Sequence, residues 1–375
     1  MTGAPTKKIM LAFGTRPEAI KMCPLALELA GRRGVDLCIC LTGQHREQAD
    51  EPMRAFGVTA DYDLSIMRDG QTLFDITRGV LDGIRPILSA ERPDILLVHG
   101  DTTSAFSAAL AAFYLGIPVG HVEAGLRTHR TDSPYPEEFN RRAVGMISSL
   151  DFAPTDEARG ALISEGKDPS RVFTVGSTAI DALRLTYRPD FRHPLLDWAS
   201  GSRLVLMTLH RRESSGDIMR GIFRAIRRAV REHPDVKLIC PVHPGAETRA
   251  ISSAELGGDD RILLTPPLGT VDFHNIERHA HLILTDSGGI EEEAPTLGVP
   301  VIVLRDVTER PEGVRAGIMR LAGTDGDSIY REFCAMLDDP DLYRRSARSL
   351  NAYGDGHASR LISDILISGG VSSDS

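Results

Sequence analysis

A two-domain α/β fold, with a parallel sheet in each domain, is the architecture that the sequence predicts. The chain has 375 residues, whereas domains usually contain about 100 to 200 residues, so two domains are expected. Short apolar runs alternate with amphipathic helical segments, which is typical of strand-helix-strand units. A variable segment at residues 187–202 interrupts this pattern, which then restarts with LVLMTL. Two Rossmann-like domains that face each other across a cleft are therefore predicted.

The domain boundary is predicted at Val175 and Gly176, where the first series of strands and helices ends. The first domain then spans residues 1–175 and the second spans residues 176–357. A break at residues 353–357 precedes a last amphipathic helix at residues 358–367, within the terminal segment 358–372.

Composition excludes several classes of function. The net charge of −9 argues against broad binding of nucleic acid or of acidic membranes. No apolar stretch is long enough to cross a bilayer, and the first apolar run, residues 9–13, is too short for a signal peptide, so a cytoplasmic protein is expected. The five cysteines are scattered without C-x-x-C spacing, which predicts reduced thiols and no metal site.

Two cations follow the first predicted strand, residues 8–13. Pro17 suits the first turn of a helix, so Arg16 and Lys21 lie near the amino end of that helix. This position is the carboxyl edge of the sheet, where open α/β sheets bind ligands. Ordinary surface charge is the alternative interpretation.

Two carboxylates leave consecutive strands in the same relative position. Asp101 follows the strand at residues 94–99, and Glu123 follows the strand at residues 117–122. Parallel strands end at one edge of a sheet, so the two carboxylates are expected in a common cleft. Asp101 could instead cap the next helix, but capping does not explain Glu123.

A long loop leads to a helix that begins near Pro136. Glu137 and Glu138 lie in the first turn of that helix, with Arg141 and Arg142 four residues later. The helix dipole and two ion pairs at this spacing could explain the pattern without a substrate. Long loops at the binding edge are nevertheless often functional, which favours a substrate role.

The segment LILTDSGGIEEEAP predicts an anion-binding turn in the second domain. Ser287, Gly288 and Gly289 lie where a buried strand gives way to a helix, so backbone amides and the positive end of the helix dipole converge there. A phosphate would suit this position, although a simple tight turn remains an alternative.

Three consecutive glutamates begin the helix after this turn. All three could not face a diphosphate without repelling it, so Glu293 is predicted to accept hydrogen bonds from a ribose diol. Arg310 in the following loop could give the phosphates a bidentate cation. Phe273 could stack on a base or simply fill the core.

The motifs FGTRPEAIK, TGQHRE, VHGDTTS, HVEAGLRT, PYPEEFNRR, HRRES, DSGGIEEEAP and RDVTERPEG occur in this order over nearly the whole chain. In the sequence and order of these motifs, the chain resembles the non-hydrolysing UDP-N-acetylglucosamine 2-epimerases. The resemblance implies a GT-B type fold, a C-terminal helix that crosses back to the first domain, a UDP-sugar substrate and a homodimer. It also implies a backbone contact from Leu268 to uracil and a second, regulatory substrate molecule near Gln44, His45 and His243.

Epimerisation at C2 is difficult because the proton on that carbon is not acidic. Oxidation by a nicotinamide would suit a G-x-G-x-x-G motif after a strand, which the sequence lacks, so no cofactor is expected. Elimination of the diphosphate, removal of the C2 proton and re-addition would need carboxylates and cations.

The residues predicted for these steps are acidic or basic side chains. Asp101, Glu123 and Glu137 are assigned to proton transfer and His210 to the leaving group, with Arg16, Lys21 and Arg141 as electrostatic partners. A hydrolysing epimerase that releases UDP and the free sugar, a GT-B glycosyltransferase and a non-catalytic sugar-nucleotide sensor are the alternatives.

Overall fold

The computed structural model describes residues 6–43, 46–68, 70–209, 215–348 and 352–368. It divides into two compact units. Unit 1 comprises Met1–Leu185 together with Tyr353–Ser375, and unit 2 comprises Thr186–Ala352. Each unit has a parallel sheet with helices, so the predicted fold class is confirmed.

Unit 1 contains a seven-stranded sheet among its described residues, in the order β3-β2-β1-β4-β5-β6-β7. Its strands are β1 (Lys7–Phe13), β2 (Val35–Leu41), β3 (Tyr62–Asp63), β4 (Ile95–His99), β5 (Val119–Val122), β6 (Leu150–Ala153) and β7 (Val172–Thr174). Its helices are α1 (Arg16–Ala30), α2 (Arg46–Phe56), α3 (Leu73–Glu91), α4 (Thr103–Tyr114), α5 (Glu137–Ile147), α6 (Asp156–Ser164), α7 (Thr178–Thr186), whose last residue belongs to unit 2, and α16 (Ala358–Ile367).

Unit 2 contains a six-stranded parallel sheet among its described residues, in the order β10-β9-β8-β11-β12-β13. Its strands are β8 (Arg203–Thr208), β9 (Val236–Pro241), β10 (Ile262–Thr265), β11 (Leu282–Thr285), β12 (Val301–Val303) and β13 (Met319–Leu321). Its helices are α8 (Pro194–Ala199), α9 (Gly216–Glu232), α10 (Ala246–Leu256), α11 (Thr270–His279), α12 (Ile290–Leu297), α13 (Pro311–Arg315), α14 (Gly326–Asp338) and α15 (Pro340–Ser346).

The predicted strands of unit 1 coincide with observed ones because continuous apolar runs can be buried on both faces of a parallel sheet. β1, β4 and β5 begin and end within two residues of their predicted bounds. The first strand is followed by a capping box, in which Thr15 accepts from the backbone amide of Glu18 and the Glu18 side chain accepts from the Thr15 amide. Helix α1 therefore begins at Arg16, which fixes this cation at the carboxyl edge of the sheet.

The predicted boundary at Val175 and Gly176 is wrong, because unit 1 continues to Leu185 and resumes at Tyr353. The segment after Gly176 is hydrogen-bonded to the segment where unit 1 resumes, since the Ser177 amide donates to the Tyr353 carbonyl at 2.7 Å. Gly176 also packs closely on the backbone of residues 353–354, because a Cβ on Gly176 would lie 3.1 Å from Cα of Gly354.

Helix α16 belongs to unit 1, as the predicted crossing implied. Its buried Ile362 and Leu366 lie in the same apolar core cluster as Met22 and Leu25 of α1. Asp181, at 6% exposure, holds the amino end of α16, because its carboxylate accepts from the amides of Ala358 at 3.1 Å and Ser359 at 2.8 Å. Within the described ranges, no helix combines the length and hydropathy that a transmembrane span requires.

Replacement of Asp181 by alanine should destabilise unit 1. The substitution leaves two amides at the start of α16 without an acceptor, which costs about 1–3 kcal/mol. Urea unfolding of the unit 1 transition measures the change, and Asp82→Ala on the exposed face of α3 serves as the control, with an expected effect within about 0.5 kcal/mol. Equal stability of the two variants would contradict this anchoring role.

Candidate active site

Glu123 lies directly after β5 and is held between two basic side chains. Its Oε2 contacts Nζ of Lys21, which is buried at the first helix, and lies 3.7 Å from Nε2 of His99. Its backbone φ is +62°, a left-handed conformation that is costly for a residue with a side chain. Strain of this kind commonly occurs at functional sites because the surrounding structure enforces it.

Asp101 and Arg141 form an ion pair at the same edge of the sheet. Nη2 of Arg141 donates to Oδ2 of Asp101 at 2.6 Å, and Nδ2 of Asn140 donates to the Asp101 carbonyl at 2.9 Å. The alternative interpretation of Asp101 as a helix cap is wrong. Thr102 is the N-cap of α4, since its Oγ1 accepts from the Ala105 amide at 3.0 Å.

Glu18 connects the turn after β1 to the turn after β4. Its Oε2 accepts from the amides of Gly14 and Thr15, both at 2.8 Å, and its Oε1 accepts from Oγ1 of Thr102 at 2.6 Å. Burial raises the pKa of Glu18 although these hydrogen bonds oppose the shift. The link joins the turn that precedes Arg16 to the turn that carries Asp101.

The long loop before α5 is anchored by Glu138, which is fully buried. Glu138 accepts from the amides of Thr128 at 3.0 Å and His129 at 3.1 Å, and its Oε2 lies 3.4 Å from Nη1 of Arg141. Glu137 is the first residue of α5 and is half-buried. Since Arg141 binds both Asp101 and Glu138, the loop and helix α5 are joined to the strand ends.

Arg16 also lies at this edge, with Nη2 3.5 Å from Oε2 of Glu51 on α2. Unit 1 therefore brings two carboxylates, Asp101 and Glu123, into contact with two cations, Arg141 and Lys21. Such pairs hold the carboxylates in a fixed orientation, as proton transfer requires.

The predicted turn of unit 2 lies between β11, which ends at Thr285, and α12, which begins at Ile290. Ser287, Gly288 and Gly289 fill this interval. Gly289 is the N-cap of α12 and gives the helix no side-chain acceptor, so the first amides of the helix suit an anionic ligand.

The three glutamates of α12 have three different partners. Glu291 lies 3.5 Å from Nη1 of Arg305 and also accepts from Oγ1 of Thr308. Glu292 accepts from Nε of Arg310 at 2.6 Å and lies 2.5 Å from its Nη2.

Glu293 lies closest to a histidine. Its Oε2 is 3.8 Å from Nε2 of His274, whose Nδ1 lies 2.7 Å from Oγ1 of Thr186. The charges of the other two glutamates are thus compensated, and Glu293 is the one with a titratable neighbour on α11.

Arg310 lies directly against the glycine turn. A Cβ on Gly288 would lie 2.6 Å from Nη1 and 3.0 Å from Cζ of Arg310, so only glycine permits this contact. Because Glu292 fixes the guanidinium, the backbone amides of the turn and the cation are arranged together.

Other predicted site residues give less geometric information. Leu268 and Phe273 are both partly buried against the same apolar cluster of unit 2, so the choice between base stacking and core packing for Phe273 stays open. His243 is exposed after β9, and its Nδ1 accepts from the Gly245 amide at 3.2 Å. Gln44, His45 and His210 lie outside the described residues.

Sequence reasoning missed His99, Glu18 and Glu292. His99 could have been found from its position, because it is the last residue of β4, just as Val122 is the last residue of β5 before Glu123. Polar side chains at this edge of a parallel sheet are candidates for a binding site. Glu18 is visible as the third residue of a capping box. The pairing of Glu292 with Arg310 had no sequence signal beyond opposite charge, because the two residues are separated by a strand and a loop.

Replacement of Gly288 by alanine should destabilise unit 2. The added methyl group displaces Arg310 from Glu292, and overpacking of this kind costs about 1–3 kcal/mol. Urea unfolding of unit 2 measures the effect. Gly221→Ala in α9 is the matched control, since its Cβ meets no atom within 4 Å and a helical alanine should stabilise by up to about 1 kcal/mol. Stabilisation by both substitutions would contradict the close contact.

The comparisons with known proteins agree on one family. The sequence profile described as "UDP-N-acetylglucosamine 2-epimerase" matches residues 27–367. A Bacillus subtilis UDP-N-acetylglucosamine 2-epimerase is 49% identical over 96% of this chain and 95% of its own length. The Neisseria meningitidis UDP-GlcNAc 2-epimerase bound to UDP-GlcNAc is 40% identical, with a TM-score of 0.92 over 96% of this chain and 100% of that chain.

A further solved structure is the S. aureus protein MnaA with UDP. It is 44% identical, with a TM-score of 0.94 over 98% of this chain and 98% of that chain. This chain belongs to the UDP-N-acetylglucosamine 2-epimerase family.

Proposed function

We propose that this chain converts UDP-N-acetylglucosamine reversibly to UDP-N-acetylmannosamine without hydrolysis. The observation that carries the proposal is the pair of carboxylates at the ends of β4 and β5, Asp101 and Glu123, each in contact with a cation. Family membership and the relatives named for binding UDP-GlcNAc and UDP support the substrate.

The proposed reaction is an elimination followed by re-addition. A carboxylate removes the C2 proton while the C1–O bond to UDP breaks, which leaves a C1–C2 double bond in the sugar. A proton then adds to C2 from the opposite face, and UDP returns to C1. Asp101, Glu123 and Glu137 are the proposed proton carriers, and His210 is proposed from the sequence to assist the departing diphosphate.

Lys21 and Arg141 orient the carboxylates rather than accept protons in this scheme. Lys21 contacts Glu123, and Arg141 donates to Asp101, so both acids enter the reaction in a fixed rotamer. Fixed geometry of this kind lowers the entropic part of the barrier. The His99 ring near Glu123 is a further proton-accepting group within 4 Å.

The nucleotide is assigned to unit 2. The proposed phosphate ligands are Ser287, Gly288 and Gly289 with Arg310, and the proposed ribose acceptor is Glu293. These groups would hold a diphosphate on the first amides of α12, where the helix dipole favours negative charge. Leu268 and Phe273 remain the proposed neighbours of the uracil.

Product analysis separates this function from its alternatives. Proton NMR of UDP-N-acetylglucosamine with the protein in heavy water should show deuterium at C2 in an intact UDP-sugar. Free N-acetylmannosamine without an intact UDP-sugar product would instead establish the hydrolysing reaction. Retention of the C2 proton would contradict epimerisation.

Replacement of Asp101 by asparagine, or of Glu123 by glutamine, should lower C2 exchange by about 10² to 10⁴-fold, because each removes a proton-transfer group. UDP affinity should change little, since its proposed ligands lie in unit 2. NMR exchange rates and calorimetry measure the two effects, and Asp82→Asn on α3 is the control. Wild-type exchange in both variants would remove these carboxylates from the mechanism.

We also propose that the protein forms a homodimer through an apolar surface of unit 1. Helices α3, α4 and α5 pack side by side and expose several large apolar side chains, which monomers seldom expose together. The exposed residues are Phe74 (87%), Phe113 (52%), Tyr114 (73%), Phe139 (52%) and Met146 (84%).

Light scattering after gel filtration tests this dimer. Tyr114→Asp and Met146→Asp should each lower the mass toward that of one chain, because a charge is costly in a buried apolar interface. Leu361→Asp on α16, at 44% exposure, is the control. A monomeric wild type would contradict the proposal.

A further inference from the structure

Glu277 is a fully buried carboxyl group that the proposed mechanism does not use. It lies on α11 with 0% exposure, and neither of its carboxyl oxygens has a hydrogen-bond partner among the described residues. An ionised carboxylate in such a position is very unfavourable, so the group is kept in its neutral form with a proton bound. Unit 2 therefore holds one exchangeable proton at this position.

The face of α11 that carries Glu277 is directed toward Glu293. His274 lies one turn earlier on α11 and places Nε2 3.8 Å from Oε2 of Glu293. Residues three apart lie on the same side of a helix, so Glu277 shares this side with His274. Burial raises the pKa of Glu277 well above the usual carboxyl range, and the charge of Glu293 raises it further.

We propose that Glu277 and Glu293 form a carboxyl pair that holds one proton, and that this pair makes nucleotide binding depend on protonation. The inference rests on the proposed function, in which Glu293 accepts hydrogen bonds from the ribose hydroxyls. With the proton on Glu277, Glu293 keeps its negative charge and can accept from the diol. Glu277 acts here as a positioning residue, because it does not touch the nucleotide.

Loss of this proton places two negative charges on neighbouring buried groups. Among the described residues, Glu293 from α12 is the charged group that acts on Glu277, and Glu293 in turn lies 3.8 Å from Nε2 of His274 on α11. The doubly charged pair repels the diphosphate that α12 is proposed to bind, and it leaves a buried charge without a partner. Binding of UDP to the ionised form is therefore accompanied by uptake of one proton at Glu277.

Calorimetry with UDP from about pH 6 to about pH 9 tests the coupling, since a one-proton linkage changes affinity up to about tenfold per pH unit. Wild-type Kd should rise with pH, and Glu277→Gln, which stays neutral, should bind as tightly as wild type at the low end with a flatter profile. UDP itself also titrates in this range. Because this affects both proteins equally, the ratio of the wild-type Kd to the Glu277→Gln Kd at each pH is free of it. Glu293→Gln should weaken binding at every pH.

Stability without ligand gives a second readout. Between the unfolded and the raised folded pKa of Glu277, the folded state binds more protons than the unfolded state, so wild-type stability should fall as pH rises through that window. Glu277→Leu should remove this fall, and its UDP affinity should vary with pH only as far as UDP itself titrates. This variant serves if the glutamine variant does not fold.

The outcomes separate the inference from the proposed function. Parallel Kd profiles for wild type and Glu277→Gln overturn the coupling, even if stability still falls with pH, because Glu277 would then act only on folding. Absence of UDP binding by the wild type, or unchanged binding by Glu293→Gln, overturns the nucleotide site itself. C2 exchange by the wild type with parallel Kd profiles leaves the proposed function intact and rejects the pair.

Discussion

Pairing of charge is the constraint on which the candidate site of unit 1 and the candidate site of unit 2 both depend. A carboxylate that is partly removed from water is stabilised by a nearby cation or hydrogen-bond donor. Arg141 is the cation that contacts Asp101, and Lys21 is the cation that contacts Glu123. The pairs also fix the side chains, because an ion pair in a buried setting permits few rotamers. The same ion pairs therefore stabilise the fold of unit 1 and orient the carboxylates for the proposed proton transfer.

The sequence predicted the positions of the strand ends well because apolar runs and turn residues are local signals. The carboxyl ends of β1, β4 and β5, and hence the common edge for Arg16, Asp101 and Glu123, follow from periodicity and parallel topology alone. The boundary after Val175 was wrong for a non-local reason. The amide of Ser177 donates to the carbonyl of Tyr353, which is far away in the chain and has no sequence pattern that points back.

The partners of individual charges were the least predictable part of the site. Three adjacent glutamates look equivalent in sequence, yet only tertiary packing decides that Glu292 binds Arg310 and that Glu293 lies near His274. Spacing suggested that Arg142 pairs with Glu138, whereas Nε of Arg142 lies 4.0 Å from Oε1 of Glu165, the C-cap residue of α6. Helical spacing permits such a contact but gives it at most a few tenths of a kcal/mol, so other contacts readily replace it.

Unit 1 is discontinuous in sequence, and this has a consequence for biosynthesis. Helix α16, whose Ile362 and Leu366 complete the apolar cluster beside α1, is the last described helix to leave the ribosome. Unit 2 is a continuous segment and can finish folding first. During synthesis, the apolar surface of unit 1 beside α1 stays exposed until α16 has been made. Exposed apolar surfaces of this kind bind chaperones or neighbouring chains. Truncations near the carboxyl end are thus expected to reduce yield more than their length suggests.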